Sequence, residues 1–117
     1  MDREDIFEFV IDTFDIKPDY PWEKFPDYAA LRHKENQKWF GLIMDVTADK
    51  IGLLENQKID ILNLKVREEF MGSLRKKDGF YQAYHMDKTH WITINLAEIE
   101  SVKDIEELII DSFELTS

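Results

Sequence analysis

Residues 38–47 read KWFGLIMDVT, and this stretch decides the fold. Phe40, Leu42, Met44 and Val46 alternate with Trp39, Gly41, Ile43 and Asp45, the period of a strand with one buried face. The spacing predicts that the first set faces the core. Trp39, Gly41 and Ile43 are then on the opposite face. The turn-like Glu35-Asn36-Gln37 precedes this strand and makes residues 27–33 (DYAALRH) its hairpin partner. Residues 59–65 (IDILNLK) form the third strand expected in this region.

Helices and further strands follow on both sides. In residues 2–16, Ile6, Phe7, Val10, Ile11 and Phe14 recur at helical spacing opposite Glu4, Glu8, Asp12 and Asp15. Asp2 caps this helix with Asp5 at its third position, and Lys17-Pro18 ends it. Trp22, Phe25 and Tyr28 lie in a Pro-punctuated loop over the edge of the core. Residues 66–77 are predicted to be a helix with Val66, Phe70 and Leu74 inward, stopped by Asp78-Gly79. Residues 80–86 and 91–96 are the fourth and fifth strands, with Ile92, Ile94 and Leu96 on one face. Ser101 and Asp104 form a capping box that opens the last helix, with Val102, Ile105, Leu108, Ile109 and Phe113 as its stripe.

The resulting order is α-β-β-β-α-β-β-α with short connections. It is expected to fold as one α+β domain over residues 1–117, a two-layer α/β sandwich with helices on one face of a mostly antiparallel sheet. By strand parity Trp39 and Ile43, together with Trp91, Thr93 and Asn95, occupy the face away from the helices. Trp39, Ile43, His85 and Trp91 are therefore candidates for a partner surface. The alternative is that loop 17–26 or the terminal helix folds over them.

Composition narrows the function classes. The chain has 117 residues, 44% of them hydrophobic and 13% aromatic, with a formal net charge of −10. That apolar content is too high for a disordered acidic tail. There is no cysteine, which removes disulfides, thiolate nucleophiles and cysteine-ligated metal centres. The acidic start, MDREDIFEFV, is not a secretory signal, and no apolar run reaches the length of a membrane span. A cytoplasmic domain with no membrane partner is expected. The acidity is segregated: residues 1–16 hold six acids and one base, and residues 98–117 hold seven acids and one base. The segment between them is close to neutral.

Residues 84–91, YHMDKTHW, carry the densest set of functional side chains, and here a family resemblance enters. The stretch resembles the YHMNKxHW signature of the bacterial MmcQ/YjbR proteins, with Asp87 in place of Asn. Phe25-Pro26-Asp27, Lys38-Trp39-Phe40, Asn63-Leu64-Lys65, Leu74-Arg75 and Asp111-Ser112-Phe113-Glu114-Leu115 resemble that family in the same order. The chain departs from the pattern where Val66-Arg67-Glu68 stands in place of Cys-Asp-Pro before the middle helix. The resemblance implies a fold comparable with frataxin-like and secretion-chaperone-like domains, and it implies DNA binding through wing-like loops.

The residues themselves offer several sites. His85, Lys88 and His90 can hold an anion or form a tight polar turn. Five-residue spacing sets the two imidazoles on opposite faces of a strand, so no metal set is expected. Arg32, Lys34 and Lys38 at the hairpin, and Arg75, Lys76 and Lys77 ending the middle helix, are the basic groups available to phosphates, joined by Lys88 and His90. The last helix carries an acidic stripe of Glu100, Asp104, Glu107, Asp111 and Glu114. Such a stripe suits a cationic partner or a solvated face. With no Gly-rich phosphate loop and no nucleophile elbow, no catalytic residue and no cofactor are expected. The expected function is a non-enzymatic binding module for DNA, or else a protein-interaction, self-associating or chaperone-like domain.

Overall fold

A computed structural model describes all 117 residues. Helix α1 spans Arg3–Phe14 and opens on the anticipated capping box. The Asp2 carboxylate accepts from the Asp5 amide, and the Asp5 carboxylate accepts from the Asp2 amide. It ends at Asp15 in a left-handed conformation, before Lys17-Pro18. Ile6, Phe7 and Val10 are buried, whereas Ile11 lies at the margin of the apolar stripe and is exposed.

Five strands follow: β1 (Ala29–Arg32), β2 (Trp39–Thr47), β3 (Lys58–Lys65), β4 (Phe80–Gln82) and β5 (Trp91–Asn95). Every pairing is antiparallel, in the order β1-β2-β3-β5-β4. The segment after β3 carries the chain to the far edge, and β5 returns between β3 and β4. Helix α3 (Glu106–Leu115) packs with α1 on one face of this sheet. No helix is long and apolar enough to cross a membrane.

The expected face assignment of β2 is corrected by a one-residue slip. Leu31 is opposite Gly41 but Arg32 is opposite Trp39, so Phe40 has no partner on β1. This bulge reverses the alternation at that point. Phe40 and Ile43 both join the helix-side core with Leu31, Leu62, Leu64, Ile92 and Ile94. Leu42, Met44 and Val46 instead enter a second core on the far side, with Ala30 and Ile61. The sheet is thus apolar on both faces, which explains the unbroken Leu42-Ile43-Met44 run. A Cβ at Gly41 would sit 2.9 Å from Leu31 Cδ1, so a larger residue there forces that buried side chain to shift.

The middle helix is also shorter than its sequence pattern. In place of a helix over 66–77 there is a 3₁₀ turn at Glu68–Phe70 and a single turn, α2, at Met71–Leu74. Neither has a side-chain N-cap, Gly72 sits inside the segment, and Ser73 Oγ donates to the Phe70 carbonyl. Each of these weakens helix propagation. Val66 and Leu74 are buried as expected, but Phe70 is 48% exposed. Gly79 closes the segment at φ 89°. The fourth strand ends at Gln82, not 86, because residues 83–90 form a turn. The Ser101–Asp104 capping box is present, although it opens a 3₁₀ turn at Val102–Asp104 before α3 begins.

Two polar contacts seat α3. Ser112, fully buried, donates to the Phe40 carbonyl at 2.5 Å and accepts from the Lys65 amide at 2.9 Å. His33, also buried, lies 2.8 Å from Thr116 Oγ1 through Nε2, and its ring packs on Phe113 and Phe40. Thr116 donates its hydroxyl proton to the Ser112 carbonyl, which makes His33 Nε2 the donor. Burial lowers the His33 pKa and Lys38 adds to that, against opposing effects of the Phe113 backbone and Glu35.

Two predictions follow from this docking. Ser112→Ala leaves the Phe40 carbonyl and the Lys65 amide without their partner. We expect a loss of about 1–3 kcal/mol in urea unfolding, and a loss within error would show that the contact is dispensable. The folded-state pKa of His33 lies below the unfolded value of about 6.5. The stabilisation of neutral His33 is therefore complete above that pH and declines as pH falls toward the folded value. The urea midpoint is expected to drop as pH falls below about 6.5 in the natural chain, and to drop less in His33→Gln.

Candidate functional site

Trp39 and Trp91 do occupy the face away from the helices, as parity predicts. Ile43 does not: it is fully buried under the helices because of the bulge at Phe40. Nor is this face bare. The segment after α1 is tied to the outer edge of β1 by two backbone hydrogen bonds between Asp19 and Ala30. From there Trp22 stands edge-on to Trp39 at 5.4 Å, and Phe25 stacks on Tyr28 at 4.6 Å. Loop 17–26 thus folds over Trp39, the alternative left open by the sequence. Phe25 and Tyr20 remain half exposed at its rim.

Residues 83–90 cover the other half of the same face, and a closed polar triangle holds them there. Asn63 and Thr93 are cross-strand neighbours and both are fully buried. Thr93 Oγ1 donates to Asn63 Oδ1 at 2.5 Å, Asn63 Nδ2 donates to the Tyr84 carbonyl at 3.0 Å, and the Tyr84 amide donates to Thr93 Oγ1 at 2.8 Å. Every buried polar atom here has its partner, so the turn is rigidly specified. These two residues were not singled out as site candidates from sequence. The available signal is a polar residue within an otherwise apolar strand.

The signature side chains diverge within this turn. Lys88 Nζ points back to the Ala83 carbonyl at 2.7 Å. His90 Nδ1 donates to Asp87 Oδ2 at 2.6 Å, and its Nε2 faces Glu68 at 3.7 Å. The hydrogen bond from His90, supported by the Thr89 amide, holds the Asp87 carboxyl below its usual range. His85 takes a left-handed conformation with φ 59° and stacks on Tyr84. No contact joins His85 to His90. The His90 carbonyl accepts from the Val66 amide, which anchors the turn to the end of β3. At the outer edge of this face, burial and a hydrogen bond to Glu98 push the Tyr81 phenol up to about 12.

The basic candidates divide into two groups. Arg32 pairs with Asp19 and Lys34 pairs with Asp15. Lys38, Arg75, Lys76 and Lys77 are exposed without a side-chain partner. Lys77 opens onto a cleft shared with Lys103, Asp104, Glu106 and Glu107.

Thr93→Val removes one hydroxyl at nearly constant volume and unpairs both Asn63 Oδ1 and the Tyr84 amide. The expected cost is about 1–3 kcal/mol, with faster hydrogen exchange at the Tyr84 amide. Unchanged exchange there would show that the triangle does not hold the turn.

Comparison with known proteins agrees with this geometry. The sequence profile of the YjbR family matches residues 13–115. The uncharacterised Bacillus subtilis protein YyaQ is 49% identical over 116 residues, covering 99% of this chain and 98% of YyaQ. A Pseudomonas syringae protein of 50% identity has a crystal structure that superposes with a TM-score of 0.95 over the whole of both chains. Its solution NMR structure gives 0.89, covering all of this chain and 94% of that one. A Deinococcus radiodurans crystal structure at 19% identity, covering 97% of this chain and 76% of its own, shares the fold with a TM-score of 0.70. On the sequence match and the full-length relatives together, the chain belongs to the YjbR family.

Proposed function

We propose that this domain is a cytosolic, non-enzymatic binding module whose partner is a polypeptide rather than a nucleic acid. The supporting observation is the disposition of its cations. A phosphate-binding surface needs several basic groups free to displace counterions. Arg3, Arg32, Lys34, Lys58 and Arg67 are each paired with an aspartate of the same chain. Lys88 is bound to a backbone carbonyl. The free Arg75-Lys76-Lys77 turn is followed directly by Asp78 and borders the acids of α3. A polyanion approaching it meets repulsion within about one Debye length.

The same reasoning supports a non-enzymatic role. Each imidazole is engaged elsewhere: His33 with Thr116, His85 against Tyr84 and His90 with Asp87. The serines at 73, 101 and 112 are bonded within turns or helix seats. The nucleic-acid reading keeps in its favour the unpaired Arg75, Lys76, Lys77 and Lys38, with Lys17, Lys24, Lys50, Lys65 and Lys103 also outside any ion pair.

Fluorescence anisotropy with labelled duplex and single-stranded DNA, at low ionic strength and then rising salt, tests the reading. No saturable binding is expected even at low salt. Binding that weakens steeply with salt, and disappears when Arg75, Lys76 and Lys77 are changed to Ala, would overturn it.

A further inference from the structure

The groove between the 68–70 turn and α3 is lined by Arg67, Phe70, Glu107, Leu108, Ile110, Asp111 and Glu114, with a volume of about 290 Å³. We infer that it takes a basic segment of a partner polypeptide, seating one bulky apolar side chain between two cations. This rests on the polypeptide reading above and adds the place and the chemistry of the partner.

The bed of the groove is apolar. Phe70 is 48% exposed although its position in the sequence pattern is an inward one, and Leu108 and Ile110 are only partly covered. Its rim carries an ordered charge pattern. In the middle, Arg67 grips Asp111 through Nε and Nη2 at 3.0–3.3 Å, so that pair is internally neutralised. On either side Glu107 and Glu114 are exposed and carry no hydrogen bond or ion pair through their carboxylates. They are seven residues apart on α3, two helical turns, or about 10 Å. The surface therefore reads anion, neutral fork, anion along an apolar bed.

Complementarity selects the occupant. Two lysines or arginines on one face of a partner segment meet these anions from positions i and i+4 of an extended peptide, with i+2 on the same face, or from i and i+7 of a helix. An apolar residue between them reaches Phe70, Leu108 and Ile110. Glu114 lies in the last turn of α3, where the helix dipole disfavours negative charge, so a partner cation there relieves an unfavourable interaction. An anionic occupant is repelled at the Glu114 end of the groove, whereas Lys77 and Lys103 lie beyond Glu107 at the other.

Heteronuclear NMR titration of the full chain with the amidated peptide Gly-Lys-Ala-Phe-Ala-Lys-Gly tests the assignment. Saturable shifts are expected at the amides of Phe70, Leu108, Ile110 and Asp111. The double change Glu107→Gln, Glu114→Gln is expected to weaken binding about tenfold or more, corresponding to loss of about 1.4 kcal/mol. Phe70→Ala is expected to remove the advantage of this peptide over its Phe-to-Ala counterpart. Changing Glu8→Gln and Asp12→Asn on α1 is expected to leave affinity unaltered.

The groove assignment is overturned by three results: no saturable shifts, shifts spread equally over α1 and α3, or affinity insensitive to the two glutamates. A parallel titration with duplex DNA separates the two levels of the argument. Silence from both peptide and DNA overturns the groove alone, whereas DNA binding lost on changing 75–77 overturns the polypeptide reading with it.

Discussion

One unopposed residue in β2 organises this molecule. The slip at Phe40 sends two successive sets of apolar side chains to opposite faces of the same strand. On the helix side, Phe40 becomes the centre of an aromatic group with Phe14, His33 and Phe113. On the other side, Leu42, Met44 and Val46 need a cover of their own. A bulge also removes backbone groups from the ladder, and buried backbone polar atoms must find partners elsewhere. Ser112 supplies one to the Phe40 carbonyl while accepting from Lys65 on the neighbouring strand. The seat of α3, the two-sided core and the cover over the far face are linked through this position.

The need for that second cover explains the loops. Two segments without regular structure, 15–28 and 83–90, supply the aromatic and polar groups that close the face. Each is held by hydrogen bonds to the sheet: Asp19 to Ala30 on its edge strand for the first, and Asn63, Thr93 and Tyr84 in its interior for the second. The dense cluster of histidine and lysine in residues 84–91 is part of this cover. Its side chains turn toward carbonyls, a carboxylate and a neighbouring ring instead of toward one another.

Much of this was legible from local pattern. The capping boxes at Asp2 and Ser101, the hairpin around residues 35–37 and the alternation in 91–96 are set by neighbours within a few residues, and all appear as expected. The middle helix was misread because Val66, Phe70 and Leu74 have helical spacing, whereas Gly72 and the missing cap limit the helix to one turn. Ile43 was misplaced because parity holds only while the register is continuous, and a bulge leaves no mark in an apolar run. The groove beside Phe70 was invisible for the same kind of reason: it exists only because the helix there stops short and α3 lies alongside.

By itself, the sequence determined the element order, the start of α1 and the segregation of negative charge into residues 1–16 and 98–117. These depend on period, caps and composition, which are properties of short windows. Tertiary structure alone decided which side of β2 each apolar residue takes, which cations are spent on internal aspartates, and where acidic and apolar surface meet. Those outcomes depend on register and on pairs such as Arg67 with Asp111 or Asn63 with Thr93. Such pairs are separated by tens of residues along the chain and become neighbours only when the sheet closes.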